Sequence, residues 1–215
     1  MIKGIIFDAD GTLLDSMWMW ENLLEKFLEI KGIVTDENVL ESVYAFSLIE
    51  SCRYMKERYH LEETPEEIIS EVLLLIKDFY DNDVLLKDGV AEFLEAADAA
   101  GIPMVIATSS DKSHIASAMK RLNVDKYFKD ILTCAELKTN KREPEIYLRA
   151  AEVLGTKPSE TAVFEDVLHG LTTAKNAGFK TVAVEDASSI HEKEELLAVS
   201  DLYIKDFRNL DVRVI

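Results

Sequence analysis

The stretch Ile5-Ile6-Phe7-Asp8-Ala9-Asp10-Gly11-Thr12-Leu13-Leu14-Asp15 decides how the whole chain reads. Ile5-Ile6-Phe7, inside the apolar run Ile2–Phe7, is continuous rather than alternating in hydrophobicity, as a strand buried on both faces of a parallel sheet should be. Open α/β sheets place their ligands at the carboxyl ends of the strands, and this strand delivers Asp8 and Asp10 to that end. A carboxylate fixed there can attack phosphorus while a second one handles the proton. Gly11 lets the backbone turn so that both acids face one pocket. A strand followed by an ordinary Asp-Gly turn would carry the same letters, so the weight falls on what lies downstream.

Working outward, residues 1–15 and 84–215 alternate strand and helix. Further strands are expected at Pro103–Ala107, Asp130–Leu132, Thr161–Phe164, Thr181–Val184 and Asp201–Ile204, with helices over 89–100, 111–122, 143–154 and 168–177. Gly101, Gly155 and Gly178 fall just past expected helix ends, and Pro144 falls near a helix start. That grammar predicts an α/β fold, a Rossmann-like parallel sheet core with helices on both faces. Residues 16–83 contain no convincing strand. Met17–Ile30 is apolar around much of its circumference. Thr64-Pro65-Glu66-Glu67 reads as a capping box opening a helix over 65–81, with Ile68, Val72, Leu75, Ile76 and Phe79 at helical spacing. An all-helical domain inserted after the first strand is the expectation.

The 215 residues carry 41 acids against 24 lysines and arginines, a formal charge of −17. Residues 15–86 hold 17 acids and 6 bases, a net of −11, while the remainder holds 24 and 18, a net of −6. Such a surface repels a phosphodiester backbone, so no nucleic-acid partner is expected. It also makes a bound divalent cation useful where a phosphorylated substrate must enter among carboxylates. No stretch is long and apolar enough to span a bilayer, and the N-terminal run, broken by Lys3 and Asp8, lacks a cleavage region. Cys52 and Cys134 are far apart without metal-like spacing and read as reduced thiols of a cytoplasmic protein. The four histidines, at 60, 114, 169 and 191, show no ligand or nucleophile–base spacing. A monomer is the default.

Three further segments follow in order. Met104-Val105-Ile106-Ala107-Thr108-Ser109-Ser110 is a buried strand ending in hydroxyls at a helix start. Alone it says no more than a helix capped by Ser110 or Asp111. Asn140-Lys141-Arg142-Glu143-Pro144-Glu145-Ile146-Tyr147 supplies an ammonium in a charged loop. Val163-Phe164-Glu165-Asp166 is a second apolar strand ending in acids, followed by Gly170 and Ala174–Gly178.

Asp8-x-Asp10-Gly11-Thr12-Leu13 resembles the first motif of the haloacid dehalogenase superfamily, whose members are mostly phosphotransferases. With the other three segments in family order, the resemblance spans the chain. It is to the branch holding β-phosphoglucomutase and small phosphomonoester phosphatases, whose members carry a helical cap over the pocket. The resemblance implies that Asp8 is a nucleophile forming an aspartyl-phosphate and also a Mg²⁺ ligand. It implies that Asp10 acts as general acid and then base, with its carbonyl on the metal. The Thr108 hydroxyl and Ser109 amide would hold the phosphoryl oxygens, and Lys141 would offset their charge. Asp166 would complete the Mg²⁺ set, with Glu165 a ligand or an orienting neighbour. Asn140, Arg142 and Glu145 depart from the usual Gly-Lys-Pro-x-Pro-Asp, and Val167 replaces a frequent Ser.

Dehalogenases lack an acid where Asp10 stands and ion-pumping ATPases carry Thr there, so the resemblance implies phosphomonoester chemistry. The mutase pattern has a His where Trp20 stands, and a basic, Gly-containing segment where this chain reads Ala45-Phe46-Ser47-Leu48-Ile49-Glu50. Water is therefore the expected acceptor. A sugar-phosphate mutase is the alternative, and a non-catalytic module binding a phosphometabolite a more distant one, expected to have lost Asp8, Asp10, Lys141 or Asp166. Trp18 and Trp20 read first as packing, though Trp20 lies where the first cap helix should face the substrate. Cations between 16 and 83 are limited to Lys26, Lys31, Arg53, Lys56, Arg58 and Lys77, which favours a small phosphorylated metabolite such as a sugar monophosphate.

Overall fold

A computed structural model describes residues 2–35, 43 and 46–215. Ala45 of the Ala45–Glu50 segment lies outside them. The first strand, Gly4–Phe7 (β1), is buried at all four positions because it runs through the middle of a parallel sheet. Met104–Thr108 (β4) and Thr161–Glu165 (β6) flank it and are buried throughout for the same reason. Phe128–Thr133 (β5) closes one edge, and Lys180–Val184 (β7) and Leu202–Ile204 (β8) complete the other. The order is β5-β4-β1-β6-β7-β8, every pair parallel. Strand order reverses direction at β1, which opens a crevice at the carboxyl end of that strand.

Alternation along β1 feeds two cores. Ile6 joins Val105, Val163, Tyr147, Ala150 and Phe179 on one face. Phe7 turns to the other, where its ring lies tilted against Phe164 at 4.9 Å and meets Phe93, Phe128 and Phe207. Burial of each such ring contributes about 1.5–3 kcal/mol. The helices covering the sheet are Val90–Ala99 (α4), Lys112–Arg121 (α5), Cys134–Leu137 (α6), Glu145–Leu154 (α7), Leu168–Asn176 (α8) and Lys193–Val199 (α9). β5 extends beyond its expected span, Asp130–Leu132, and α9 lies where the sequence predicts no element. A two-stranded antiparallel ribbon of Leu14–Asp15 (β2) and Leu85–Leu86 (β3) brackets the insertion.

Contacts separate two compact units, Met1–Met17 with Val84–Ile215 and Trp18–Asp83. The second unit is helical among its described residues. Met17–Ile30 (α1) buries Met19, Leu23, Phe27 and Leu28. Leu48–Tyr59 (α2) and Pro65–Asp78 (α3) each begin with a complete capping box, Ser47 with Glu50 and Thr64 with Glu67. The helix expected over 65–81 ends as an α-helix at Asp78, and a wide π-helical turn, Phe79–Asp83, buries the adjacent rings of Phe79 and Tyr80. Among the described residues no helix is long and apolar enough to cross a membrane.

Candidate active site

Sheet register alone sets two of the acids side by side. Phe7 lies opposite Phe164 in the β1–β6 ladder, and the Asp8 amide donates to the Phe164 carbonyl at 3.0 Å. Asp8 is thus level with Glu165, one residue before Asp166. On the other side Phe7 pairs with Ile106 of β4, the strand that ends at Thr108. Lys141 arrives from the loop between α6 and α7. Asp8, Lys141, Glu165 and Asp166 are all buried.

The Lys141 ammonium donates to Asp8 Oδ1 and to both oxygens of Glu165, at 2.8 and 3.1 Å. The Tyr147 hydroxyl donates to Glu165 Oε1 at 3.3 Å, and a Cβ on Gly170 would fall 2.2 Å from the same oxygen. Burial pulls the lysine down, but Asp8 and Glu165 outweigh it and hold the ammonium well above the ordinary lysine range. Burial, then the Asp8 charge, pushes Glu165 and Asp166 well up, with Lys141 opposing. Asp8 itself is raised by burial, against Lys141 and with the Asp10 charge adding to the push. The cluster is short of positive charge.

Asp166 shows where that charge belongs. The Thr12 hydroxyl donates to its Oδ1 at 3.3 Å, while nothing among the described residues hydrogen-bonds its buried Oδ2. Gly11 lies against that oxygen. Its φ is +76°, and a Cβ there would stand 2.3 Å from Oδ2, so the position needs glycine for conformation and for space. Ligand oxygens of Asp8, Glu165 and Asp166 lie within 4.8 Å of one another. An orphaned carboxylate oxygen in an all-oxygen, acid-rich donor set fits a hard divalent cation of the Mg²⁺ kind.

The Asp10 carboxylate stands outside that group. Its Oδ1 accepts from the Ser16 hydroxyl at 2.6 Å and its Oδ2 from the Ser110 hydroxyl at 2.5 Å. Thr108 is buried, and its hydroxyl accepts from the Ser110 amide at 3.0 Å; the Ser109 hydroxyl donates to Cys134 Sγ at 3.6 Å. Asp111, not Ser110, caps α5, accepting the Ser113 amide at 2.8 Å. Asn140 accepts the Arg142 amide at 2.9 Å and so turns the loop that presents Lys141. Val167 leaves the start of α8 without a side-chain cap. Trp20, in the helical unit, donates its indole N–H to the Tyr80 hydroxyl at 3.1 Å, and the Trp18 ring meets Phe79 edge-on at 5.3 Å.

Ser16, Ser110 and Tyr147 are neighbours of the acids that the sequence alone does not pick out. Ser16 and Ser110 were hydroxyls within six residues of a motif acid or strand end, which is a usable signal. Tyr147 belongs to the Lys141 segment, but nothing in the letters aims its hydroxyl at Glu165.

The family model for haloacid dehalogenase-like hydrolases matches residues 5–184. The chain is 29% identical to hexitol phosphatase A of Escherichia coli K12, across 85% of this chain and 82% of that one. It is 26% identical to a phosphorylated carbohydrates phosphatase of Thermotoga maritima, across 84% of each. A crystal structure from Thermotoga maritima, provisionally assigned as a β-phosphoglucomutase, superposes with a TM-score of 0.84 at 25% identity, covering 95% of this chain and 94% of that one.

Proposed function

The chain belongs to the haloacid dehalogenase-like hydrolases, and from that premise we propose that it is a Mg²⁺-dependent phosphomonoesterase working through an aspartyl-phosphate on Asp8. The observation that carries this reading is the buried set of Asp8, Glu165 and Asp166 under a single ammonium, Lys141, with the Asp10 carboxylate held apart from it. The cation would be held by the carboxylates of Asp8 and Asp166 and the carbonyl of Asp10, and when bound it supplies charge compensation for the phosphoryl oxygens.

An Asp8 oxygen attacks phosphorus, and the bond from phosphorus to the ester oxygen breaks. Asp10 gives its proton to the departing alkoxide, which would otherwise be a poor leaving group. The Asp10 carboxylate then takes a proton from water as the water oxygen attacks phosphorus. The bond to Asp8 breaks, and inorganic phosphate leaves. Lys141 compensates charge on Asp8 and the phosphoryl group, and Glu165 holds Lys141 in place. The Thr108 hydroxyl and Ser109 amide, at the end of β4, bind the phosphoryl oxygens.

Residues Trp18–Asp83 serve as the cap, with Trp20 a substrate contact. A small phosphorylated sugar or polyol is the substrate class, supported by the two phosphatases named for such compounds and by the scarcity of cations between 16 and 83. The mutase reading, raised by the β-phosphoglucomutase likeness, differs in its acceptor. The Trp20 indole neither gains nor loses a proton near neutral pH and so cannot serve in acid–base catalysis, which favours water.

A panel of sugar and polyol phosphates that includes β-glucose 1-phosphate tests the reading, with free phosphate and glucose 6-phosphate followed in the same samples. Mg²⁺-dependent phosphate release that is absent from Asp8→Asn is the expected result. Glucose 6-phosphate formed without net release would replace the phosphatase with a mutase.

A further inference from the structure

One nearly buried ion pair at the rim of this site belongs to none of the four motifs. Lys87, the residue after β3, and Asp186, two residues beyond β7, have side chains only 12% and 7% exposed. Each hydrogen of the Lys87 ammonium has an acceptor: the Gly11 carbonyl at 2.8 Å, the Glu185 carbonyl at 2.7 Å and Asp186 Oδ2 at 2.8 Å. The other Asp186 oxygen is occupied as well, by the Ser188 amide at 3.0 Å and the Ser188 hydroxyl at 2.7 Å. The Lys87 amide in turn donates to the Leu13 carbonyl at 2.9 Å. One residue thus grips the Asp10–Leu14 turn at two carbonyls and ties it to the loop after β7.

What the grip holds is the peptide packed on Asp166. Gly11 adopts a left-handed conformation whose missing Cβ would stand 2.3 Å from Asp166 Oδ2, the buried oxygen to which no described residue hydrogen-bonds. A shift of that peptide by a few tenths of an ångström changes the space beside this oxygen. It also moves the carbonyl of Asp10, the residue before Gly11 in the same turn.

We infer that Lys87, fixed by Asp186, is a positioning residue that sets the Gly11 peptide against Asp166 and thereby tunes divalent-cation affinity. The inference rests on the metal reading above. Lys87 touches neither the cation nor the substrate in this scheme. It acts through the Gly11 and Leu13 carbonyls of the turn that carries Asp10, one step further out than the direct partners of metal ligands, whose loss weakens binding about 10–100-fold.

The test is a Mg²⁺ titration of thermal stability, run on the intact protein and read without any substrate. Lys87→Met with Asp186→Asn removes both charges together, because Lys87→Met alone would leave the Asp186 carboxylate buried without its cation and destabilise the fold by itself. Asp186→Asn alone keeps the two carbonyl contacts of Lys87. With circular dichroism and melting in EDTA showing both variants folded, the Mg²⁺ midpoint should rise about tenfold in the double variant and about threefold in Asp186→Asn. The wild-type midpoint in either folded variant would overturn the inference and leave the metal reading standing. If the double variant does not fold, Asp186→Asn decides by the same criterion. A wild-type protein whose melting ignores Mg²⁺ would overturn the metal reading and the inference with it.

Discussion

Asp166 meets its surroundings unevenly, with Oδ1 held by Thr12 and Oδ2 buried without a hydrogen bond from any described residue. Burial and the Asp8 charge push its carboxyl well up, and Glu165 is pushed the same way. A carboxyl raised on folding binds protons that the unfolded chain has released. The metal-free protein therefore loses stability as pH rises from the ordinary carboxylate range toward these raised values. Asp166→Asn keeps the acceptor for Thr12 and removes one charge from the cluster. In EDTA at pH 8 the variant should melt about 2–4 °C above the wild type, the shift that one kcal/mol brings in a chain of this size. Added Mg²⁺ should then stabilise the wild type and not the variant. A variant that melts lower in EDTA and still responds to Mg²⁺ would contradict this account of the cluster.

Capping decides much at the scale of elements. The Thr64 hydroxyl accepts the Glu67 amide at 3.2 Å, and Glu67 accepts the Thr64 amide at 2.7 Å, so two otherwise orphaned donors at the start of α3 are satisfied. Thr64→Ala should destabilise α3 by about 1 kcal/mol, seen as faster amide exchange in α3 with α7 unchanged; equal exchange in both proteins would refute it. That capping box was legible in the sequence, as were β1, β4 and β6, because long apolar runs ended by polar residues leave little choice. Other elements were not. β2 and β3 have two residues each, too few for any periodicity, and α9 buries only Leu196 and shows no stripe. Within the site, Asp8, Thr108, Lys141, Glu165 and Asp166 stand at strand ends or in a motif loop, where letters and order point to them. Lys87 and Asp186 are 99 residues apart and meet only through the folded path of β3 and β7, so no local pattern could pair them.

For the whole molecule, the net charge of −17, with −11 of it between residues 15 and 86, opposes the approach of an anionic substrate. Screening relieves that opposition. At saturating Mg²⁺, kcat/KM for a sugar monophosphate should rise by about twofold or more as KCl goes from about 10 to about 150 mM. A fall would mean that a local basic field steers the substrate instead. A phosphoryl group held on Asp8, as proposed, adds to the mass of the whole chain, and intact-protein mass reads it directly. Asp10→Asn should still be phosphorylated by an aryl phosphate, whose leaving group needs little help from an acid, and should lose the group slowly for want of a base. Acid quenching of that variant should trap one phosphoryl group per chain, on the peptide containing Asp8, with none in Asp8→Asn. Phosphate release by the wild type without any trapped adduct, or persisting in Asp8→Asn, would contradict the account.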